Sequence, residues 1–311
     1  MEAAPFYGDL AEGPPGCKAV WLRADDGVRV RVGIWAGSAR GTVFLLPGRC
    51  EPIEKYGRTA AALVARGYGA LAVDWRGQGL SDRLLKNPDI GHVSRFTDYQ
   101  LDLRACLELA GRRGLPKPWF MLAHSMGGAI GLRALIEDAP FCAAAFSAPM
   151  WGIVIAPRLR HLAATIPNIA RSIGMGGRQA PTTGSANYFL ETPFAGNFLT
   201  TDPDNWAYMT RQAAFHPRFR LGGPSLTWLA EALAETRALH VLPRPDTPAH
   251  VSVGTLEAIV DADAIERLTG TWDNADFVLV PDAQHEILME IPPIRKAFLD
   301  RTDALFARVS A

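Results

Sequence analysis

Cysteine is scarce and scattered in this chain. Four thiols, Cys17, Cys50, Cys106 and Cys142, serve 311 residues, with no C-x-x-C and no histidine at zinc spacing. That excludes a disulfide framework and a thiolate zinc site, and it fits reduced thiols in the cytoplasm. An excess of one charge is missing too. Lys+Arg and Asp+Glu each total 32, a formal net charge of zero, so there is no footprint for nucleic acid and no charged tail. Residues 1–16 lack a basic segment followed by an apolar one, so no secretory signal is expected. The longest uncharged stretch, Ala139 to Pro157, is broken by Pro140 and Pro149. It suits a strand running into a loop better than a membrane span. Internal repeats and low-complexity segments are absent.

What remains is an ordinary globular composition, 48% hydrophobic and 21% charged, with enough apolar material for a large core. Val43–Leu46 is a short apolar run ending at Pro47-Gly48, as a buried strand would. Tyr56, Ala60, Leu63 and Val64 recur at helical spacing before Gly67. Ala70–Val73 is the next strand. Thr97 with Gln100 forms a capping box ahead of the stripe Leu103, Cys106, Leu107, Ala110. Trp119–Leu122 is a strand, Met126–Ile136 a helix and Phe141–Phe146 a strand. Such alternation predicts a doubly wound, mostly parallel α/β sheet with helices on both faces.

The rhythm stops at Pro149 and resumes near Arg237. The stretch between is rich in proline, glycine and aromatics. Strands at His250–Val253 and Phe277–Val280 follow, with helices at Ala262–Leu268 and Pro292–Val309. The expected organisation is a core of residues 1–148 and 237–311 with a helical cap inserted at 149–236. The cap's aromatics and the apolar run Trp151–Ile155 suggest a lid that forms an acyl pocket. Arg158, Arg160 and Arg171 suggest peripheral membrane contact through the same cap, facing lipid phosphates.

Ala123-His124-Ser125-Met126-Gly127-Gly128 joins a strand to a helix. A serine on such a tight turn projects its hydroxyl above the sheet, and small neighbours at Ala123 and Gly127 let the turn close. The alternative is a plain connection in which Ser125 only caps the helix. The Met126 N–H opens the helix, where it can meet a developing oxyanion. A second oxyanion donor is expected from the loop Pro47-Gly48-Arg49-Cys50-Glu51, at the Arg49 N–H. His124 adjoins the serine but points away from it, and is read as a packing or hydrogen-bonding residue. His285, just past the last strand, stands where a general base falls in the chain order serine, acid, histidine. Two acids precede it: Glu257, in the turn after the strand at 250–253, and Asp261, which also suits a helix N-cap before Ala262.

Leu46-Pro47-Gly48, Asp74-Trp75-Arg76-Gly77-Gln78-Gly79-Leu80-Ser81-Asp82, Ala123–Gly128 and Ala283-Gln284-His285 together resemble the lysophospholipase and monoacylglycerol lipase-like branch of the α/β-hydrolases. The resemblance runs from about Arg31 to the C-terminus. It implies a serine esterase with Ser125, His285 and, by its place three residues after Gly254, Glu257, where the family usually has Asp. It also makes the Gly77-Gln78-Gly79 loop a structural element near the site, not a dinucleotide fingerprint. The family's oxyanion loop usually begins His-Gly and has a small donor residue; here these are Pro47-Gly48 and Arg49. The substrate implied is a small acyl ester or lysolipid, and the reaction calls for no cofactor and no metal. The same scaffold also serves peptidases, amidases and C–C hydrolases, and non-catalytic binding proteins.

Overall fold

The computed structural model describes residues 2–37, 40–156, 165, 167, 169–181 and 187–310. Eight strands form one sheet: β1 Lys18–Arg23, β2 Arg29–Trp35, β3 Thr42–Leu46, β4 Gly69–Asp74, β5 Trp119–His124, β6 Ala143–Ser147, β7 Ala249–Gly254 and β8 Ala275–Val280. Their spatial order is β1-β2-β4-β3-β5-β6-β7-β8. Strands β3 to β8 pair in parallel, while β1–β2 and β2–β4 are antiparallel. The antiparallel N-terminal hairpin was not foreseen from the motifs, although Lys18–Arg23 and Arg29–Trp35 flank a turn at Asp25-Asp26-Gly27.

The helices of eight or more residues among the described residues are α1 Gly57–Ala65, α2 Tyr99–Arg112, α3 Met126–Ile136, α4 Pro203–Phe215, α5 Leu226–Val241, α6 Ala262–Thr269 and α7 Pro292–Ser310. Alternate side chains of a strand face opposite sides, and β3 shows the consequence. Phe44 and Leu46 join the cluster that holds Leu103, Cys106 and Leu109 of α2, Ile130 of α3 and Ile265 of α6. Val43 and Leu45 join the other, with Ala60 and Leu63 of α1 and Phe298 and Phe306 of α7. Burial on both faces is why β3 to β7 read as continuous apolar runs rather than alternating ones. The capping box lies two residues earlier than Thr97–Gln100. The Arg95 N–H donates to Asp98 Oδ2 at 3.0 Å, and Gln100 Nε2 donates instead to Ile130 O at 3.0 Å.

Between β6 and β7 lie α4 and α5. Asp202 caps α4 through the Asp204 N–H at 2.9 Å, and Ser225 Oγ caps α5 through the Trp228 N–H at 3.0 Å. Helix α5 runs straight through the 236/237 division, and its Trp228, Ala232 and Leu239 belong to the sheet's own cluster. The apolar run at 151–155 does not form a free lid face at its start. Trp151 is fully buried, 5.0 Å edge-on from Phe146, and donates Nε1–H to Gly128 O at 3.1 Å. Ile153 forms a β-bridge with Val260. Arg158 and Arg160 lie outside the described residues. Arg171 Nη1 lies 2.5 Å from Glu231 Oε1. No helix among the described residues is long and apolar enough to cross a membrane.

Candidate active site

In an open parallel sheet the crevice lies at the carboxyl ends of the strands. The ends of β3, β5, β7 and β8 carry the loop at 47–51, Ser125, Glu257 and His285. β3 and β5 are direct neighbours, which sets the loop at 47–51 beside the serine turn.

Ser125 has φ 50° and ψ −118°, a conformation that costs a non-glycine residue about 1–3 kcal/mol and is held here by the surroundings. Its N–H donates to Ser147 O at 3.1 Å, and its carbonyl accepts from Gly128 at 2.8 Å and Met150 at 2.8 Å. Gly127 is required by close approach: a Cβ there would stand 2.1 Å from Leu46 O. Met126 is the first residue of α3, so its N–H has no intrahelical acceptor.

The loop at 47–51 is braced from both sides. Gly48 donates its N–H to Glu51 Oε2 at 2.6 Å, so it is not the open donor. Gln78 Nε2 donates to Gly48 O at 2.9 Å, and Trp75 Nε1 donates to Pro47 O at 2.9 Å. The loop at 74–82 is thus a clamp on the loop at 47–51. Cys50 turns the chain at φ 69°, leaving the Arg49 N–H on the segment between these anchors. The Arg49 side chain donates from Nη2 to Gly222 O, between α4 and α5, with its guanidinium 5.5 Å from the Trp228 ring.

His285 and Glu257 are brought together. Nδ1 of His285 lies 2.8 Å from Glu257 Oε2, and both side chains are buried. Glu257 Oε1 accepts the N–H groups of Ile259 at 2.7 Å and Val260 at 3.1 Å. Burial alone would push this carboxyl up, but the His285 ring and the two N–H groups outweigh it and hold it below its ordinary value. The approach of the two loops depends on Gly254, where a Cβ would stand 2.1 Å from Ala283 O. Asp261 is elsewhere: its Oδ1 accepts the Ala264 N–H at 3.0 Å as the N-cap of α6.

Residues 37–292 match the model of the Hydrolase_4 family, described as serine aminopeptidase, S33. The chain belongs to this family. Lysophospholipase L2 of Escherichia coli strain K12 is 34% identical over 86% of this chain and 80% of that protein. Among solved structures, a soluble variant of monoglyceride lipase from Saccharomyces cerevisiae superimposes with a TM-score of 0.72 at 19% identity, over 93% of this chain and 95% of that one. A carboxyl esterase from Bacillus coagulans gives 0.74 at 15% identity, over 96% and 100%. The fold is therefore the α/β-hydrolase fold, in agreement with the resemblance carried by the sequence motifs.

Beneath the candidate site, this Hydrolase_4 chain holds a buried ionic cluster that the motif reading missed. Lys55 Nζ lies 2.6 Å from Glu51 Oε1 and 2.5 Å from Glu286 Oε1. Tyr56 OH donates to Glu51 Oε2 at 2.7 Å. His124 Nε2 is 3.3 Å from Glu286 Oε2 and 3.5 Å from Glu51 Oε1, while its Nδ1 faces Ser147 O at 3.0 Å. His124 is thus a buried hydrogen-bonding residue turned toward this cluster. Burial would lower its pKa, but Glu286 and Glu51 outweigh that and raise it. Burial would raise Glu286, but His124 and Lys55 hold it well below its ordinary value. The cluster ties the loop at 47–51 (Glu51), the strand before Ser125 (His124) and the residue after His285 (Glu286). Glu51, His124 and Glu286 are the described residues whose donor atoms group closely enough for a metal, all within 4.8 Å. The Lys55 ammonium already supplies a cation between the two carboxylates. The sequence signal was the i,i+4 pair Glu51 and Lys55, which has meaning only once Glu286 is folded onto it.

Proposed function

We propose that this chain is a serine carboxylic-ester hydrolase that cleaves lysophospholipids, and esters of the monoacylglycerol type, through an acyl-enzyme at Ser125. The observations that support the reading are the 2.8 Å contact between Glu257 and His285 Nδ1, the His285 ring 4.8 Å from that of His124, and the strained backbone of the next residue, Ser125, at the head of α3. Glu257 keeps the proton of His285 on Nδ1 and leaves Nε2 free as the base. Nε2 takes the Ser125 proton as Oγ attacks the ester carbonyl. The N–H groups of Arg49 and Met126 receive the oxyanion. The imidazolium then protonates the departing alcohol, and water, deprotonated by the same ring, releases the fatty acid. Every proton is accounted for by His285, so the cycle calls for no metal or organic cofactor.

The insertion at 149–236 is the part proposed to meet lipid. Ile169, Ile173, Phe194, Phe198 and Phe215, all within it, are exposed, and exposed apolar side chains gathered in one segment suit contact with a lipid surface. Flotation with liposomes tests this; a protein that stays with the dense fraction on neutral and anionic vesicles refutes it. The free cysteines suit a reducing compartment such as the cytoplasm.

The test of the enzyme is Ser125→Ala. Wild-type protein labels with a fluorophosphonate and hydrolyses a lysophospholipid. The variant does neither and loses on the order of 10⁶ in turnover while keeping its fold. The family description favours one other reading, an aminopeptidase. Cleavage of aminoacyl anilides faster than acyl esters would establish it in place of the esterase.

A further inference from the structure

His285 has more carboxylates around it than a single base calls for. Glu257 already faces its Nδ1. Glu286 is the next residue in the chain, and its carboxylate feels the His285 charge. Glu51 and Glu286 share the Lys55 ammonium, at 2.6 and 2.5 Å. Glu51, Lys55, His124 and Glu286 are all buried, and in such a place an unbalanced charge is costly and acts strongly on its neighbours.

The protons of His124 decide whether the cluster is balanced. One ammonium offsets one carboxylate, so Glu51, Glu286 and Lys55 by themselves leave one negative charge. Nδ1 of His124 lies 3.0 Å from Ser147 O, a carbonyl that can only accept, so Nδ1 carries a proton. Nε2 lies 3.3 Å from Glu286 Oε2 and 3.5 Å from Glu51 Oε1. Among the described residues no group donates a hydrogen bond to Nε2, and Glu286 Oε2 accepts none. A bare Nε2 lone pair would therefore face two carboxylates, whereas an Nε2–H meets both as an ion pair. The ring fits its surroundings with both nitrogens protonated, and the four charges then cancel. Burial would lower the His124 pKa, but Glu286 and Glu51 raise it overall, in agreement with this. The other groups facing the cluster are neutral: the Gly48 N–H and the Tyr56 hydroxyl on Glu51 Oε2, and the Ser147 hydroxyl 3.2 Å from His124 Nδ1.

We propose that His124 is an imidazolium at neutral pH, and that the balanced cluster it completes sets the ionisation of His285. The two rings stand 4.8 Å apart, tilted by 57°, close enough for a charge on one to move the proton affinity of the other by about one unit. Lys55 and His124 cancel Glu51 and Glu286, so that His285 answers to Glu257. Without that balance the extra carboxylates would hold a proton on His285 and take it out of service as a base. The four residues act through His285 and are positioning residues. The inference rests on the esterase reading above for the role of His285 and specifies what controls that base.

The first measurement is imidazole nitrogen NMR on isotope-labelled wild-type protein, which reads each ring nitrogen as protonated or bare. His124 should show two protonated nitrogens at neutral pH. A bare Nε2 overturns the proposal, wherever the missing proton has gone. This test does not depend on any variant folding.

The second measurement is the pH dependence of kcat/KM on p-nitrophenyl butyrate, whose acid limb reports the ionisation of the base in the free enzyme. His124→Gln leaves a net negative charge beside His285 and should move that limb up by about one unit. Glu286→Gln leaves a net positive charge and should move it down by about as much. The double variant is balanced again, and its limb should return toward the wild-type position. A loss of packing alone lowers the rate without shifts of opposite sign. Limbs that stay in place, or move the same way in both single variants, overturn the proposal. The two readings fail separately. Two protonated nitrogens on His124 in a protein that hydrolyses no ester would sink the esterase reading, and with it the catalytic role of the cluster, but leave the imidazolium. A bare Nε2 in an active esterase would sink the balanced cluster and leave the enzyme.

Discussion

Glu257→Gln isolates what a single proton position contributes. The two carboxylate oxygens of Glu257 have separate tasks. Oε1 accepts the Ile259 and Val260 N–H groups at 2.7 and 3.1 Å, and Oε2 faces His285 Nδ1 at 2.8 Å. Glutamine keeps the shape and keeps a carbonyl for the two N–H groups. Its amide then presents an N–H to Nδ1, which must become the acceptor, so the ring proton moves to Nε2. The histidine can no longer take a proton from Ser125. The reference loss for this change is about 10⁴ in kcat, or about 5 kcal/mol of transition-state stabilisation. Stability changes much less, by about 1–2 kcal/mol, because charge-assisted hydrogen bonds become neutral ones. The pH dependence has a definite sign. The folded carboxyl titrates below its ordinary value. Its contribution to stability is therefore present above the unfolded value of about 4.3 and is lost as pH falls through the folded one. Wild type shows this acid component and Glu257→Gln does not. The control is Asp261→Asn: asparagine caps helices as well as aspartate does, so turnover and Tm stay near wild type. Single-turnover acylation rates with matched thermal unfolding decide the matter. If Asp261→Asn in folded protein loses more turnover than Glu257→Gln, the assignment of the acid is wrong.

Three further outcomes follow from the same geometry. Lys55→Met leaves the buried Glu51 and Glu286 carboxylates without their shared ammonium. It should cost about 3–5 kcal/mol, read as a large fall in Tm, and an unchanged Tm would show that the cluster is not ionised. His124 has its pKa raised by Glu286 and Glu51 against burial. Its contribution is therefore complete below about pH 6.5 and is lost as pH rises through the higher folded value; urea midpoints across that range should fall in wild type more than in His124→Gln. Gly127→Ala places a Cβ 2.1 Å from Leu46 O and should destabilise by about 1–3 kcal/mol or more. Denaturant midpoints check it, and a variant as stable as wild type would mean that β3 and α3 can part without cost.

Local chemistry made much of this protein legible in advance. The apolar runs at 43–46, 70–73 and 119–122 announce strands buried on both faces. The turn from Ala123 to Gly128 announces a serine raised above a sheet, because only small residues allow that geometry. The order of serine, acid and histidine along the chain places His285 at the end of the last strand. These signals are short-range: hydrophobic period, steric size and motif spacing all act within a few residues. Folding decided the rest. The sequence favoured Glu257, in the turn after β7 and by the resemblance, with Asp261 as the alternate acid; which of them faces His285 depends on how β7 and β8 bring two loops together across Gly254 and Ala283. Trp151 reads as part of a lid, yet the nearby Phe146 and the more distant Gly128 draw it into the core. Glu51, Lys55, His124 and Glu286 form one ionic cluster only because β3, β5 and the segment after β8 converge. Electrostatic energy depends on separation and burial, and for residues far apart in the chain both are set by the tertiary fold.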